Sequence, residues 1–219
     1  MSFCLWTASG AMNSRAFRLM LAIVFSFTIW SAIAPVDYAT WFFELFIGMI
    51  CVVILVYTRR QFQFSEFFYY VVAVHYIVLA CGAKYTYADM PLFNWMRDVF
   101  ALSRNHFDRV GHFMQGLTPA LLTRELLVRT ESVRNRKLLA ILSASVAVAF
   151  SGMYEVLEWL WISVFYPTQG VEWLGMQGDP WDAQGDILAA FLGACVAVTI
   201  LGVVHDRSIM RTRDSRLKH

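Results

Sequence analysis

Residues 107–128 read F-D-R-V-G-H-F-M-Q-G-L-T-P-A-L-L-T-R-E-L-L-V, and the fold turns on whether this run crosses a membrane. As a helix it is long enough, since about 20 residues span the roughly 30 Å hydrocarbon core. Asp108, Arg109, His112, Gln115, Arg124 and Glu125 interrupt it, but its apolar residues still dominate one face. The charge distribution argues for keeping it. Lys and Arg collect in short loops on the cytoplasmic side of a membrane protein. With 107–128 as a span, one side receives Arg15, Arg18, Arg59, Arg60, Arg124, Arg129, Arg134, Arg136 and Lys137. The tail residues Arg207, Arg211, Arg213, Arg216 and Lys218 join them, making fourteen of the eighteen basic residues. The other side holds Lys84, Arg97, Arg104 and Arg109. Without this span, the basic 129–137 stretch would move outside and everything after it would invert.

Composition agrees. Of 219 residues, 58% are hydrophobic and only 16% charged, against about 25% charged in soluble domains. The expected fold is therefore all-α. It is a polytopic membrane bundle of about six helices, near 18–34, 41–58, 67–83, 107–128, 138–160 and 185–204, with both termini cytoplasmic. The whole chain, 1–219, reads as a single integral membrane domain whose partner is the lipid bilayer. Two variations concern the start. The first segment, with Ser31-Ala-Ile-Ala34 after it, also has the shape of a cleaved signal peptide, which would leave the other five helices in place. Met12 is an alternative initiator.

Cys4, Cys51, Cys81 and Cys195 show no paired spacing and read as small packing residues, not as a disulfide set or zinc site. The basic segments 129–137 and 206–219 lack interleaved aromatics, which excludes a nucleic-acid role and leaves them as topology anchors touching anionic headgroups. Residues 84–106, with Tyr85, Tyr87 and Trp95, form an outer connection in which Pro91 breaks any long helix. Residues 161–184, with Trp161, Trp173, Trp181, Gly170, Gly175 and Gly178, form another. Their aromatics read as an interfacial belt.

The polar outliers converge. Asn105, Asp108, His112 and Gln115 are spaced 3, 4 and 3 apart and form one helical stripe. His112 lies about 6 Å deeper than Asp108. Glu155 and Glu158 share a face with Ser151 near the outer end of the fifth helix. The run 177–186, Q-G-D-P-W-D-A-Q-G-D, brings Asp179, Asp182 and Asp186 to the start of the sixth. Below Asp186, the small residues Ala189, Ala190, Gly193 and Ala197 permit close helix approach, which turns the acids into the bundle. Three consecutive helices thus bring carboxylates and one imidazole to the same depth on the non-cytoplasmic side. Acids so crowded repel unless cations, protons or Arg109 neutralise them.

Oxygen ligands supplemented by imidazole suit a divalent metal ion. The expected ligands are Asp108, His112, Glu155, Glu158 and Asp186, with Asp179 or Asp182 as general base. The chemistry that fits is metal-assisted hydrolysis or group transfer on a lipid or envelope-derived headgroup. Two other readings stay open. One is a proton-coupled path or small-solute site, for which His75 and Gln115 should line a polar route inward. The other is a hydrogen-bonded network that only fixes helix packing. His75 reads as one interhelical hydrogen bond and Glu44 as a dipole-compensating acid. Arg124 reads as a snorkelling side chain with Glu125 as local partner, and His205-Asp206-Arg207 as a solvated helix end.

Four stretches carry a family resemblance: Y-T-Y-A-D-M-P at 85–91, N-H-F-D-R-V-G-H-F at 105–113, F-S-G-M-Y-E-V-L-E-W at 150–159, and 177–186. In order and spacing, from about residue 35 to 206, the chain resembles the YjdF-type inner-membrane proteins of bacteria. The resemblance implies a multi-pass protein of the bacterial cytoplasmic membrane and brings no reaction with it.

Overall fold

The computed structural model describes residues 15–165 and 176–217. Cys4, Met12, Gly170, Trp173 and Gly175 lie outside the described residues. Eight α-helices occur among the described residues, in the order α1 (Arg15–Ala32), α2 (Tyr38–Thr58), α3 (Glu66–Tyr85), α4 (Pro91–Phe100), α5 (Phe107–Arg129), α6 (Arg136–Phe165), α7 (Asp182–Thr199) and α8 (Gly202–Leu217). No strand is present among those residues. Five of the helices, α1, α2, α3, α6 and α7, are long and apolar enough to cross a membrane.

The helix that fails this test is the one at the centre. α5 packs against α7, α6 and α3, so its polar residues face protein instead of lipid. Asp108, His112, Gln115, Arg124 and Glu125 are all buried. The surrounding helices carry the lipid-facing residues. Ile50 and Val53 on α2, Met153 and Val164 on α6, and Leu188 on α7 are each more than 40% exposed. A water-soluble monomer rarely exposes so continuous an apolar surface.

Local chemistry sets the boundaries. Asp37 caps α2 by accepting from Thr40 N at 2.6 Å, and Ser65 caps α3. Asn105 Oδ1 accepts from Phe107 N at 3.0 Å and Asn135 Oδ1 from Lys137 N at 2.9 Å, which starts α5 and α6. Each satisfies a donor that the first turn leaves orphaned.

Two expectations need correction. The 84–106 connection holds no long helix, as expected, but a ten-residue one, α4, with Pro91 at its first position, where its missing N–H costs nothing. The last span begins at Asp182 and stops at Thr199, so Asp182 and Asp186 lie within its first turns, Asp179 precedes it, and the tail forms a helix of its own. The tail is also not simply solvated, since His205 is fully buried.

α5 and α7 meet backbone to backbone. A Cβ at Gly116 would overlap the carbonyl of Ala190, and one at Gly193 that of Phe113. Ala190, Ala194 and Ala197 are fully buried along the same contact. Ala189, expected among them, is only half-buried, and Ala194 takes its place.

The two ends of the bundle differ. At one, the α4 end, α1 and α3 close together through Val36 N donating to Lys84 O at 3.1 Å. At the other, the α8 end, Glu125 is enclosed.

Candidate functional site

The 177–186 run is tied first to the start of α5. Gln177, at a left-handed φ of 59°, exchanges two hydrogen bonds with the Asn105 backbone. It accepts from Asn105 N at 2.7 Å and donates to Asn105 O at 3.0 Å. Asn105 Nδ2 in turn donates to Met90 O and Asn94 Oδ1. Gln177 and Asn105 therefore build the site's frame.

The acids of this run meet two arginines. Arg104 Nη1 lies 2.6 Å from Asp182 Oδ1 and 3.1 Å from Asp179 Oδ2. Arg109 Nη2 lies 2.8 Å from Asp182 Oδ1 and 3.4 Å from Asp179 Oδ2, and its Nη1 contacts Asp186 Oδ1. Gly185 makes room for this guanidinium, because a Cβ there would come within 2.6 Å of Nη2. Asp179 also accepts from Trp181 N at 2.9 Å. That backbone N–H, with Arg104 and Arg109, holds its carboxyl below the usual carboxylate range.

Deeper in, His112 is 4% exposed at its side chain and stands among three carboxylates. Its Nδ1 lies 3.4 Å from Ser151 Oγ. Its Nε2 lies 3.3 Å from Glu155 Oε1, 3.6 Å from Asp108 Oδ1 and 3.8 Å from Asp186 Oδ1. Two groups of possible ligand atoms lie within 4.8 Å of one another: Asp108, His112 and Asp186, and His112, Glu155 and Glu158. All five residues singled out from sequence as ligands thus come together on α5, α6 and α7. Asp179 and Asp182, singled out as bases, sit beside them but on the arginines.

The two groups are not equivalent. Asp186 Oδ1 faces the Arg109 guanidinium, while the buried Glu155 Oε1 has no arginine or lysine within 4 Å among the described residues and meets only His112. Ligand atoms around a tetrahedral zinc, at about 2.0–2.2 Å from it, stand about 3.4 Å apart. The Nε2–Glu155 distance matches that spacing, and it exceeds a normal hydrogen bond.

Glu44, Tyr87, Arg104 and Tyr154 belong to this neighbourhood, and sequence reasoning gave them lesser roles. Tyr154 donates to Glu44 Oε2 at 2.9 Å and sets its ring edge-on to His112 at 6.1 Å. Tyr87 is buried, not interfacial, and stacks on Phe107 at 5.5 Å. Burial, with Glu44, Asp108 and Glu158 nearby, pushes its phenol well above the usual range, so it stays a donor. The signals available were the helical spacing from Ser151 to Tyr154 and the Arg104-x-x-x-Asp108 pair. Seven carboxylates (Glu44, Asp108, Glu155, Glu158, Asp179, Asp182 and Asp186) thus share two guanidiniums.

A second polar cluster occupies the α8 end. Glu125 is fully buried and accepts from Ser65 N and Ser65 Oγ, both at 2.7 Å. His205 Nε2 lies 2.9 Å away and Arg129 Nη1 3.2 Å. Arg124 pairs with Asp206 at 2.7 Å. The expected Arg124–Glu125 partnership is therefore replaced by contacts to α3 and α8, which the packing of α8 against α3 makes possible. His75 Nε2 has no hydrogen-bond partner among the described residues, so the interhelical bond expected for it is absent.

The family model described as "Predicted membrane protein (DUF2238)" matches residues 16–207. The chain belongs to this family. Among the proteins it is similar to is "Inner membrane protein YjdF" of Escherichia coli (strain K12), 38% identical over 200 residues that cover 91% of this chain and 93% of that protein. No solved structure matches. As a DUF2238 protein with five helices fit to cross a membrane, the chain is a multi-pass protein of the bacterial inner membrane.

Proposed function

We propose that His112, Glu155 and Glu158 hold a divalent metal ion, and that the site hydrolyses or transfers a lipid or envelope-derived headgroup. The observation that carries this reading is His112 Nε2 standing 3.3–3.8 Å from carboxylate oxygens of three helices. Charge balance supports it. Leaving a buried carboxylate ionised and unpaired costs several kcal/mol; Arg109 and Arg104 Nη1 are engaged with Asp179, Asp182 and Asp186, and Arg104 Nη2 stands 3.9 Å from Asp108. Glu155 and Glu158, with no arginine in contact among the described residues, need another cation or protons.

In this reading Asp186 and Asp108 complete the surroundings of the ion on the side of α7. A bound divalent ion brings the pKa of its water toward neutrality. Asp108, 3.9 Å from Arg104 and otherwise free of arginine contact, is the acid best placed to take the water's proton. Asp179 or Asp182 would serve only after releasing a guanidinium, and their main work is to hold α5 against α7. The six-span arrangement with α5 included, both termini cytoplasmic, and the acidic cluster on the non-cytoplasmic side belongs to the same proposal.

Metal analysis of protein purified without chelator tests it. The expected result is a bound divalent ion at close to one per chain, lost in the His112→Ala, Glu155→Gln double variant. Fresh preparations with no bound metal would sink the reading. They would favour the proton-coupled reading, and Glu155→Gln or Asp186→Asn should then abolish flux in proteoliposomes.

A further inference from the structure

Between α2, α3, α5 and α6 lies a cavity of about 530 Å³, a volume typical of ligand sites. Its wall extends along α2 from Glu44 at the α4 end to Thr58 at the α8 end. At the helical rise this is about 21 Å, longer than the roughly 15 Å of hydrocarbon in one leaflet. Val, Leu, Ile and Phe side chains make up most of the lining. A continuous file of water or ions finds too few polar partners there.

The cavity opens sideways. Cys51, Ile54 and Val146 line it and are exposed, so this wall is not closed over by protein. α2 and α6 touch near the α4 end, where Tyr154 binds Glu44 and Phe43 stacks on Trp161 at 4.8 Å. Below that closure the gap faces the surroundings of the bundle, which in a membrane are lipid chains.

Polar atoms punctuate the lining at one level. Gln115 is only 5% exposed, and its Oε1, together with His75 Nε2 and Thr118 Oγ1, has no hydrogen-bond partner among the described residues. A hydrocarbon chain leaves such atoms unsatisfied at a cost, whereas an amphiphile can satisfy them: an ester carbonyl accepts from the Thr118 hydroxyl or a His75 Nε2–H, and a hydroxyl or amide N–H donates to Gln115 Oε1. At the upper end, Glu44 and Tyr154 link the cavity to His112.

We propose that this cavity holds one chain of a bilayer lipid, admitted between α2 and α6. The lipid's polar linkage lies against His75, Gln115 and Thr118, and its headgroup reaches Glu44 and Tyr154 beside His112. The chain site stands on the cavity itself; only the fate of the headgroup rests on the metal reading above.

The test uses the full chain in vesicles of phosphatidylethanolamine and phosphatidylglycerol, with some phosphatidylglycerol carrying a photoreactive diazirine at one chain terminus. Expected labelling concentrates on cavity-lining segments of α2 and α6. Cys51→Phe and Thr118→Phe, which fill the cavity from different helices, each lose most of it. Labelling around the lipid-facing Phe25 and Leu188 stays unchanged. Even labelling of all outward faces, indifferent to both filling variants, overturns the proposal. Metal content measured on the same samples separates the two readings. Labelling retained in metal-free Glu155→Gln protein supports the chain site, whereas a metal-loaded chain without cavity labelling overturns it and leaves the metal reading intact.

Discussion

At the scale of single residues, Asp179 shows how an acid in a crowded cluster is held without being buried. Its Oδ1 accepts the Trp181 N–H, and its Oδ2 faces Arg104 at 3.1 Å and Arg109 at 3.4 Å. These partners favour the ionised form, so its pKa is lower in the folded chain than in the unfolded one. A carboxylate of that kind stabilises the fold fully above the unfolded value of about 3.9. The contribution then fades as pH falls through the lower folded value. Replacing Asp179 by Asn removes the titration while keeping the shape. The Asp179→Asn chain should therefore melt below the parent in detergent at pH 7, and the gap should close well below about pH 4. A gap that stays constant across this range would show that the pairing contributes nothing. Sequence spacing brought Asp179 to the right place and named Arg109 as a counter-charge for the cluster, but it did not reveal Arg104. Arg104 lies seventy-five residues away, and its pairing follows from how α5 docks on α7.

At the scale of elements, the α5–α7 contact carries the site, because it sets Asp108 and His112 against Asp186. Its geometry depends on residues without side-chain bulk. A Cβ at Gly116 would meet the backbone of Ala190, and one at Gly193 the backbone of Phe113. Backbone cannot rotate aside as a flexible side chain does, so the helices must separate. Overpacking of this kind typically costs about 1–3 kcal/mol. Gly116→Ala and Gly193→Ala should each lower thermal stability in detergent accordingly, and should also reduce metal content although neither residue is a ligand. Gly152→Ala is the control, since a Cβ there meets nothing within 4 Å. Much of this was legible. The 3-4-3 spacing of Asn105, Asp108, His112 and Gln115 identified the inward stripe of α5, and the small residues of α7 identified the facing surface. The tail was not legible, because nothing local in His205-Asp206-Arg207 distinguishes a docked helix from a solvated one. The partner that buries His205 is Glu125, on another helix.

At the scale of the whole molecule, the structure fixes which loops share an end, and the proposed orientation follows from the charge at each end. Glu125 joins the start of α3 through Ser65, the end of α5 and the start of α8 through His205. Arg59 lies over the Phe17 ring at 3.6 Å, bringing the start of α1 to the same end. Arg15, Arg18, Arg59, Arg60, Arg129, Arg134, Arg136 and Lys137 therefore gather with the arginines of α8. The opposite end has Lys84, Arg97, Arg104 and Arg109, but Arg104 and Arg109 are spent on Asp179, Asp182 and Asp186, and Arg97 on Asp98. At the α8 end Arg124, Arg129 and Arg213 are paired as well, so pairing leaves the excess of basic residues at that end, and short basic loops are retained in the cytoplasm. A reporter joined after Leu102, in the connection between α4 and α5, should be active only outside the inner membrane. One joined after Arg134, between α5 and α6, should be active only in the cytoplasm. Because a single helix separates the two positions, opposite signals also require α5 to cross despite its low hydropathy. Both reporters on one side would remove α5 as a span, and the reverse pattern would place the acidic cluster in the cytoplasm.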